Sequence, residues 1–349
     1  MKSASKITLH DVAREAGCSL ATASRVMNDN QAVGDEVRER VMQAAARLGY
    51  VPNGSARALR STQTRLVGAV IPTVDHAIYA SMINALQERL GEKRISLILS
   101  TSMYDPELEL QQVRRLIERG VEAVVLVGAQ HKPLTLELLD RHRIPYVQTY
   151  TARSSGSGVA IGFDNEGAGR AAARFLFDLG HRRLAMIAGI TQDNDRARDR
   201  VTGFMAELSA EGLDPAAIPV REAPYSVAAG AAAMQSLLAA AERPTAVFCA
   251  SDILAAGAIK QCHAAGVDVP GAISVLGFDN LEIAELTTPE LTTFEVPARD
   301  MGRLAADYLT ATPTQRLHLG STELSIRLAV RGSSGAAPQR PDRGSRERQ

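Results

Sequence analysis

The sequence contains no tryptophan, and aromatic residues together make up only 4% of it. A core without large rings must be filled by Ala, Val, Leu and Ile. Any surface that stacks on rings must draw on seven Tyr and seven Phe. Cysteine is scarcer still. Cys18, Cys249 and Cys262 are odd in number and show no metal-ligand spacing, which excludes a disulfide framework or zinc site and points to reduced thiols. The seven His are scattered, no Gly-x-Ser-x-Gly elbow occurs and no acid pair stands out. No metal, cofactor or catalytic constellation is therefore expected, and the chain does not read as an enzyme. Long apolar runs are missing too: no stretch approaches 18 residues, and MKSASKITLHDVAREAG lacks the apolar core of a signal peptide. A cytoplasmic protein without membrane contact is expected.

Net charge is absent over the whole chain, with 39 Lys and Arg against 39 Asp and Glu. The distribution is uneven. Residues 1–65 hold ten Lys/Arg and six Asp/Glu, so a head of +4 precedes a body of −4. A small basic head on a mildly acidic body suits a polyanion-binding head.

The head reads as short helices. Thr8 with Asp11 three residues on resembles a capping box, and Gly17 ends that helix. Ser19 can cap a second helix over residues 20–27. Val37, Val41, Ala44, Ala45 and Leu48 mark one face of a third, which stops at Gly49. Helix, glycine-containing turn and helix is the geometry of helix-turn-helix, whose second helix enters the major groove. Thr22, Ser24, Arg25 and Asn28 suit phosphates and base edges. The following PNGSARALR can form a short helix capped by Asn53, too weak to persist alone in water.

From residue 66 the pattern changes. LVGAVIP, ISLILS, EAVVLVG, IPYVQT, VAIGFD, RLAMIAG, TAVFCAS and ISVLGFD read as strands buried on both faces, separated by helical segments. Such alternation predicts parallel sheets covered by helices, and the number of units predicts two similar lobes. LTTFEVP, a helix near residues 298–310 and ELSIRLAV are placed to cross back between them. From 332 the composition predicts a disordered tail. The expected domains are thus a head over 1–50, a hinge and linker over 51–65, a body over 66–331 and a tail over 332–349.

The segments ITLHDVAREAGCSLATASRVMND and VRERVMQAAARLGYVPNGSARALR closely resemble the lactose-repressor (LacI/GalR) family. The likeness runs on through VGAVIP, GFDNEGAGRAAARFLFDLGHRRLAMIAG, AVFCASDILAAGAI, VPGAISVLGFDN and LTTFEVPARDMGRLAADYL. It implies a small helical head and a body of two doubly wound lobes of the periplasmic-binding-protein type 1 kind. It also implies that Leu20 and Ala21 choose bases by apolar contact, that Arg25 contacts guanine, and that Thr22, Ser24 and Asn28 hold phosphates or sugar edges. Thr8, Ser19 and Asn53 join this DNA-contact set. The hinge is similar to the family's minor-groove helix, with Leu59 as the wedge and Ala56 as the close-approach residue. Cys18 and Gly34 depart from the family's usual aliphatic residue and Ser cap, at small cost.

In the body, the resemblance places effector contacts at Thr73, Ile78, Tyr79, Tyr150, Asp164, Arg200, Tyr225, Ser251 and Asp279, at strand C-terminal ends where ligands sit in such sheets. Asp252 reads better as a cap for the helix starting at Ile253, and Arg196 and Arg198 as surface charges. Gly167-Ala168-Gly169-Arg170-Ala171-Ala172 imitates a dinucleotide fingerprint, but no acidic residue ends the next strand, so helix–sheet packing explains the glycines.

The expected function is a homodimeric, sequence-specific DNA-binding repressor on a pseudopalindromic operator, released by a small effector. A sugar or sugar acid is the first choice. AVVLVGAQHKPLTLELLDRHRIPYV and VAIGFDNEGAG are similar to the gluconate-repressor branch. A corepressor-dependent regulator sensing a purine is the alternative. A solute-binding or NAD-using domain is disfavoured by the missing signal peptide and the basic head.

Overall fold

The computed structural model describes residues 7–27, 33–51 and 63–338. The chain divides into two compact units, residues 1–64 and 65–349.

The first unit contains α1 (Leu9–Glu15), α2 (Leu20–Met27) and α3 (Asp35–Leu48). The Asp11 carboxylate accepts from the Thr8 N–H at 3.0 Å and the Thr8 hydroxyl at 2.7 Å, fixing the start of α1. Gly17 takes φ 62°, a left-handed turn that an L side chain enters only at a cost, and redirects the chain toward α2. Ser19 caps α2 by accepting from Thr22 N at 3.1 Å. Val12, Ala13, Ala23, Val26, Val41 and Ala44 close a small aliphatic core between the three helices.

The second unit opens with β1 (Leu66–Ile71), α4 (Ala77–Glu92), β2 (Ser96–Thr101), α5 (Pro106–Glu118), β3 (Ala123–Val127), α6 (Pro133–Arg141), β4 (Tyr146–Thr149) and β5 (Val159–Gly162). It continues through α7 (Asn165–Asp178), β6 (Leu184–Gly189), α8 (Asp195–Ala210), β7 (Val220–Ala223), α9 (Val227–Leu238), β8 (Ala246–Cys249), α10 (Asp252–Ala264) and β9 (Ser274–Asp279). The last elements are α11 (Ile283–Leu286), β10 (Thr292–Glu295), α12 (Ala298–Thr310), α13 (Pro313–Arg316), β11 (Thr322–Glu323) and β12 (Arg327–Ala329).

These strands form two six-stranded sheets, ordered β11-β5-β4-β3-β1-β2 and β12-β10-β9-β8-β6-β7. All described pairings are parallel except β10 with β12. The central strands are apolar on both faces, which buries them between helix layers. The chain crosses between lobes three times: between β5 and α7, between β10 and α12, and between β11 and β12. The helix at 298–310 packs on α4 of the first lobe. The terminal segments therefore do cross back.

Three readings need correction. ISLILS forms β2, an edge strand and half exposed, not one buried on both faces. VREA forms β7, the opposite lobe's edge, which no apolar run announced because Arg221 and Glu222, on its two faces, are both exposed. The tail does not begin at 332. Ser333 is fully buried, donating to Val275 O at 2.6 Å and accepting from Thr292 N at 2.8 Å, while Ala337 N donates to Leu179 O. A polar segment stays ordered here because its groups complete hydrogen bonds that β9 and β10 leave open. Residues 339–349 lie outside the described residues.

Candidate functional site

The C-terminal ends of the strands in both lobes converge on one cleft of about 410 Å³. The end of β1 leads to Asp75, His76, Ile78 and Tyr79, that of β4 to Tyr150, and that of β5 to Phe163. From the other lobe, α8 after β6 brings Arg196 and Arg200, β7 brings Tyr225, β8 brings Ser251 and Ile253, and β9 brings Phe278 and Asp279. This convergence is where open parallel sheets receive ligands.

Of the nine residues expected here, Ile78, Tyr79, Tyr150, Arg200, Tyr225, Ser251 and Asp279 line this cleft. Thr73 lines an adjoining hollow of about 380 Å³, where its hydroxyl accepts from Asp75 N. Asp164 does not line the cleft. Its carboxylate caps α7 by accepting from Glu166 N at 3.0 Å, and the flanking Phe163 faces inward instead.

The ring-bearing side chains form one connected surface. His76 meets Tyr225 edge-on at 4.9 Å and stacks toward Tyr79 at 6.1 Å, while Tyr79 meets Tyr150 edge-on at 5.3 Å. Tyr104 hydroxyl lies 3.4 Å from both Tyr79 Oη and His76 Nδ1. Four of the chain's seven Tyr therefore line a single cleft, Tyr104 among them. That scarcity was the signal that could have found Tyr104.

Three cleft residues adopt the left-handed backbone region without being glycine: Tyr104 at φ 61°, Tyr150 at φ 61° and Asp279 at φ 113°. Such conformations are costly for L residues and cluster where side chains must be aimed at a site.

Charge in the cleft is arranged unevenly. Burial raises the hydroxyl pKa of Tyr104, Tyr150 and Tyr225 and lowers the imidazole pKa of His76, which favours the neutral form of all four. Asp279 is pushed up to about 8, first by burial and then by the Asp252 charge, while it accepts from the Ser251 hydroxyl at 3.1 Å. Asp252 is pushed up to about 6 by burial. It is not the helix cap expected of it. The helix already includes Asp252, whose carboxylate accepts from the Thr293 hydroxyl at 2.5 Å and Leu281 N at 2.7 Å, joining α10 to β10 and the cleft-lining loop.

Arg196 is likewise no surface charge. It is buried and lines the cleft, donating to Asp195 Oδ1 at 2.7 Å and Val127 O at 3.2 Å. Sequence reasoning missed it because its cover comes from the loop after β3, in the other lobe. Arg198 is exposed, as expected, and donates to Gln130 Oε1. With Ala129 N donating to Asp195 Oδ2 at 2.7 Å and Arg153 paired to Asp199, these contacts bind the two lobes together beside the cleft. Arg200 Nη1 donates to Asn165 Oδ1 at 2.5 Å, and Asn165 Nδ2 donates to Tyr150 O at 2.9 Å. Gly169, from the dinucleotide-like run, lets α7 approach α8 closely, since a Cβ there would lie 2.8 Å from Phe204 N. Its role is helix–helix rather than helix–sheet packing.

In the head, Ala23 and Val26 point into the core, leaving Leu20, Ala21 and Arg25 exposed on one face of α2. Thr22 and Ser24 are half-buried at its edges, and Thr8 and Ser19 are exposed at the starts of α1 and α2. Asn28, Asn53, Ala56 and Leu59 lie outside the described residues. No described helix is long and apolar enough to cross a membrane.

Comparison with known proteins follows the same division. The family model for bacterial regulatory proteins of the lacI family matches residues 8–53, and that for a periplasmic binding protein-like domain matches 173–334. The HTH-type transcriptional repressor PurR of Erwinia tasmaniensis is 32% identical over 337 residues, covering 95% of this chain and 98% of the relative. The chain belongs to the LacI family. The ribose operon repressor of Escherichia coli (strain K12) is 31% identical, over 94% of this chain and 99% of its own. A crystal structure of the Lac repressor dimer bound to operator and the anti-inducer ONPF superposes with a TM-score of 0.84 at 27% identity, over 95% of this chain and 99% of that one. This LacI-family chain is a DNA-binding transcriptional regulator with a helix-turn-helix head and a periplasmic-binding-protein-like body that responds to a small effector.

Proposed function

We propose that this regulator is a homodimeric repressor of a pseudopalindromic operator, released when a sugar or sugar acid occupies the cleft between its lobes. The observation that carries the reading is the cleft itself, where buried Arg200 and Ser251 and half-buried Asp279 supply hydrogen bonds amid four tyrosines and a histidine. A polar ring offers hydroxyls to the first set and C–H faces to the second. On the DNA side, Leu20 and Ala21 read the operator by apolar contact, Arg25 takes a guanine edge, and Thr8, Ser19, Thr22 and Ser24 steady the backbone.

Control follows from where the ligand binds. The Asp195, Arg196 and Arg198 contacts to the last residue of β3 and the loop after it already join the lobes beside the cleft. A ligand held by groups from both lobes changes how tightly they close, and by linkage must weaken DNA by the factor by which DNA weakens it. A purine corepressor is the second reading, favoured by the ring surface of His76, Tyr79 and Tyr225 and by the PurR relative.

The test is selection of bound duplexes from a random pool by the full-length protein, then anisotropy titration with sugars, sugar acids and purines present. The repressor reading expects half-sites about one helical turn apart and weaker binding with a sugar or sugar acid. Tighter binding with a purine transfers the conclusion to the corepressor reading. A pool that emerges without sequence preference refutes both.

A further inference from the structure

Arg196 and Arg200 stand one turn apart on α8, both buried and both facing the cleft, yet only one has a counter-charge. Arg196 is paired with Asp195 at 2.7 Å. Arg200 makes its hydrogen bond and its ring contact to neutral groups: Nη1 donates to the Asn165 amide oxygen at 2.5 Å, and the guanidinium sits 4.7 Å from the Phe278 ring centroid. Its Nε is buried without any hydrogen-bond partner. Among the described residues, no carboxylate oxygen lies within the 4.0 Å of an ion pair with Arg200. Asp279 lies beyond that distance and accepts from the Ser251 hydroxyl, and burial pushes its carboxyl up to about 8.

A buried guanidinium with no counter-ion is costly, and a fold that keeps one leaves a charge for something else to complete. With Nη1 committed to Asn165, the edge carrying Nε and Nη2 makes no hydrogen bond among the described residues. That edge matches two oxygens of one planar carboxylate side-on. A single neutral hydroxyl would satisfy one donor and leave the charge unbalanced.

We propose that the effector is a carboxylate whose anion docks on the free edge of Arg200, with its body among Tyr79, Tyr225, Ile253 and Leu281. The inference rests on the reading of the cleft as the effector site and narrows it, setting aside neutral sugars and neutral purines. The phenols suit a polyhydroxy acid, and the aliphatic side chains suit an aromatic one. The carboxylate is the chemistry the two share.

Thermal melting of the full-length protein at constant ionic strength tests this with matched probes: acetate against acetamide, gluconate against glucitol, benzoate against benzamide. The expected result is a rise of several degrees with at least one acid and none with its neutral partner, lost in Arg200→Gln and partly kept in Arg200→Lys. Acetate is small enough to reach Arg200 whatever body the natural effector carries. Silence of all three acids at 100-fold excess over protein and beyond, into the high-millimolar range, therefore overturns the proposal. A neutral probe that stabilises as well as its acid also overturns it. If Ile253→Trp, which fills the cleft, then blocks that neutral probe, the cleft reading stands and only the anion inference falls. An acid that stabilises wild type, Arg200→Gln and Ile253→Trp alike binds elsewhere, and the cleft reading fails with it.

Discussion

Helices α7 and α8 cross where neither can carry a side chain, and this crossing holds the Arg200–Asn165 pair. A Cβ built on Gly203 would press into the Glu166 carbonyl, lying 2.7 Å from its carbonyl carbon; one on Gly169 meets the Arg200 and Phe204 backbone. Ordinary carbon contacts lie near 3.5–4.0 Å, so Gly203→Ala must part the helices by roughly 1 Å or more. Overpacking of this kind costs about 1–3 kcal/mol, here toward the upper end because backbone rather than a flexible side chain is struck. Helix propensity returns about 0.5–1 kcal/mol for replacing glycine. The net loss is about 2 kcal/mol, or a fall in Tm of about 5 °C for a domain of this size. Gly91 in α4 is the control, since a Cβ there meets nothing within 4 Å. Gly91→Ala should hold or raise the Tm. Melting followed by circular dichroism separates the two by sign, and the same 1 Å displacement should weaken ligand stabilisation by stretching the Arg200–Asn165 bond. A Gly203→Ala protein that melts at or above wild type refutes the reasoning.

The raised carboxyl of Asp279 makes stability fall with pH. The native state keeps a proton that the unfolded chain releases near pH 4, so the loss accumulates from about pH 4 until the folded group titrates near 8. Asp279→Asn should flatten Tm against pH between 6 and 8, leaving the lower slope that Asp252 contributes up to about 6; an unchanged profile counts against the assignment. Arg25→Ala should cost about 1–3 kcal/mol on the selected operator and relax one position per half-site. An equal loss on all duplexes, read by anisotropy, makes Arg25 a phosphate contact instead. Truncation after Arg331 removes the hydrogen bonds of buried Ser333 and should lower the body's Tm by several degrees, whereas truncation after Pro338 should not; equal melting of the two would mean the segment contributes nothing.

The head was legible from local chemistry. Thr8 with Asp11, Gly17 before Ser19, and Gly49 after an aliphatic face are signals that act within a few residues, and both ends of α1, the start of α2 and the end of α3 fall where they stand. The alternation of apolar strands with helices likewise announced two parallel sheets, because strands buried on both faces must be apolar throughout. The polar edge strand β7 escaped that rule, and so did the ordered segment at 332–338, whose hydrogen bonds to β9 and β10 no composition records.

The cleft divides in the same way. Residues at strand ends in family-like segments, such as Tyr150, Arg200 and Asp279, were found from sequence. Which neighbours turn inward was not. Phe163 rather than Asp164 faces the cleft because the helix that follows takes the carboxylate as its cap. Arg196 is buried because a loop from the other lobe covers it, and Asp252 is drawn to Thr293 and Leu281, more than 25 positions away. Sequence by itself determined the helix-turn-helix and the two-lobe pattern, since those follow from caps, turns and burial along one stretch of chain, and the family resemblance pointed to most cleft positions. Tertiary structure decided burial, pairing and charge, because whether Arg200 has a counter-ion depends on which distant groups fold against it.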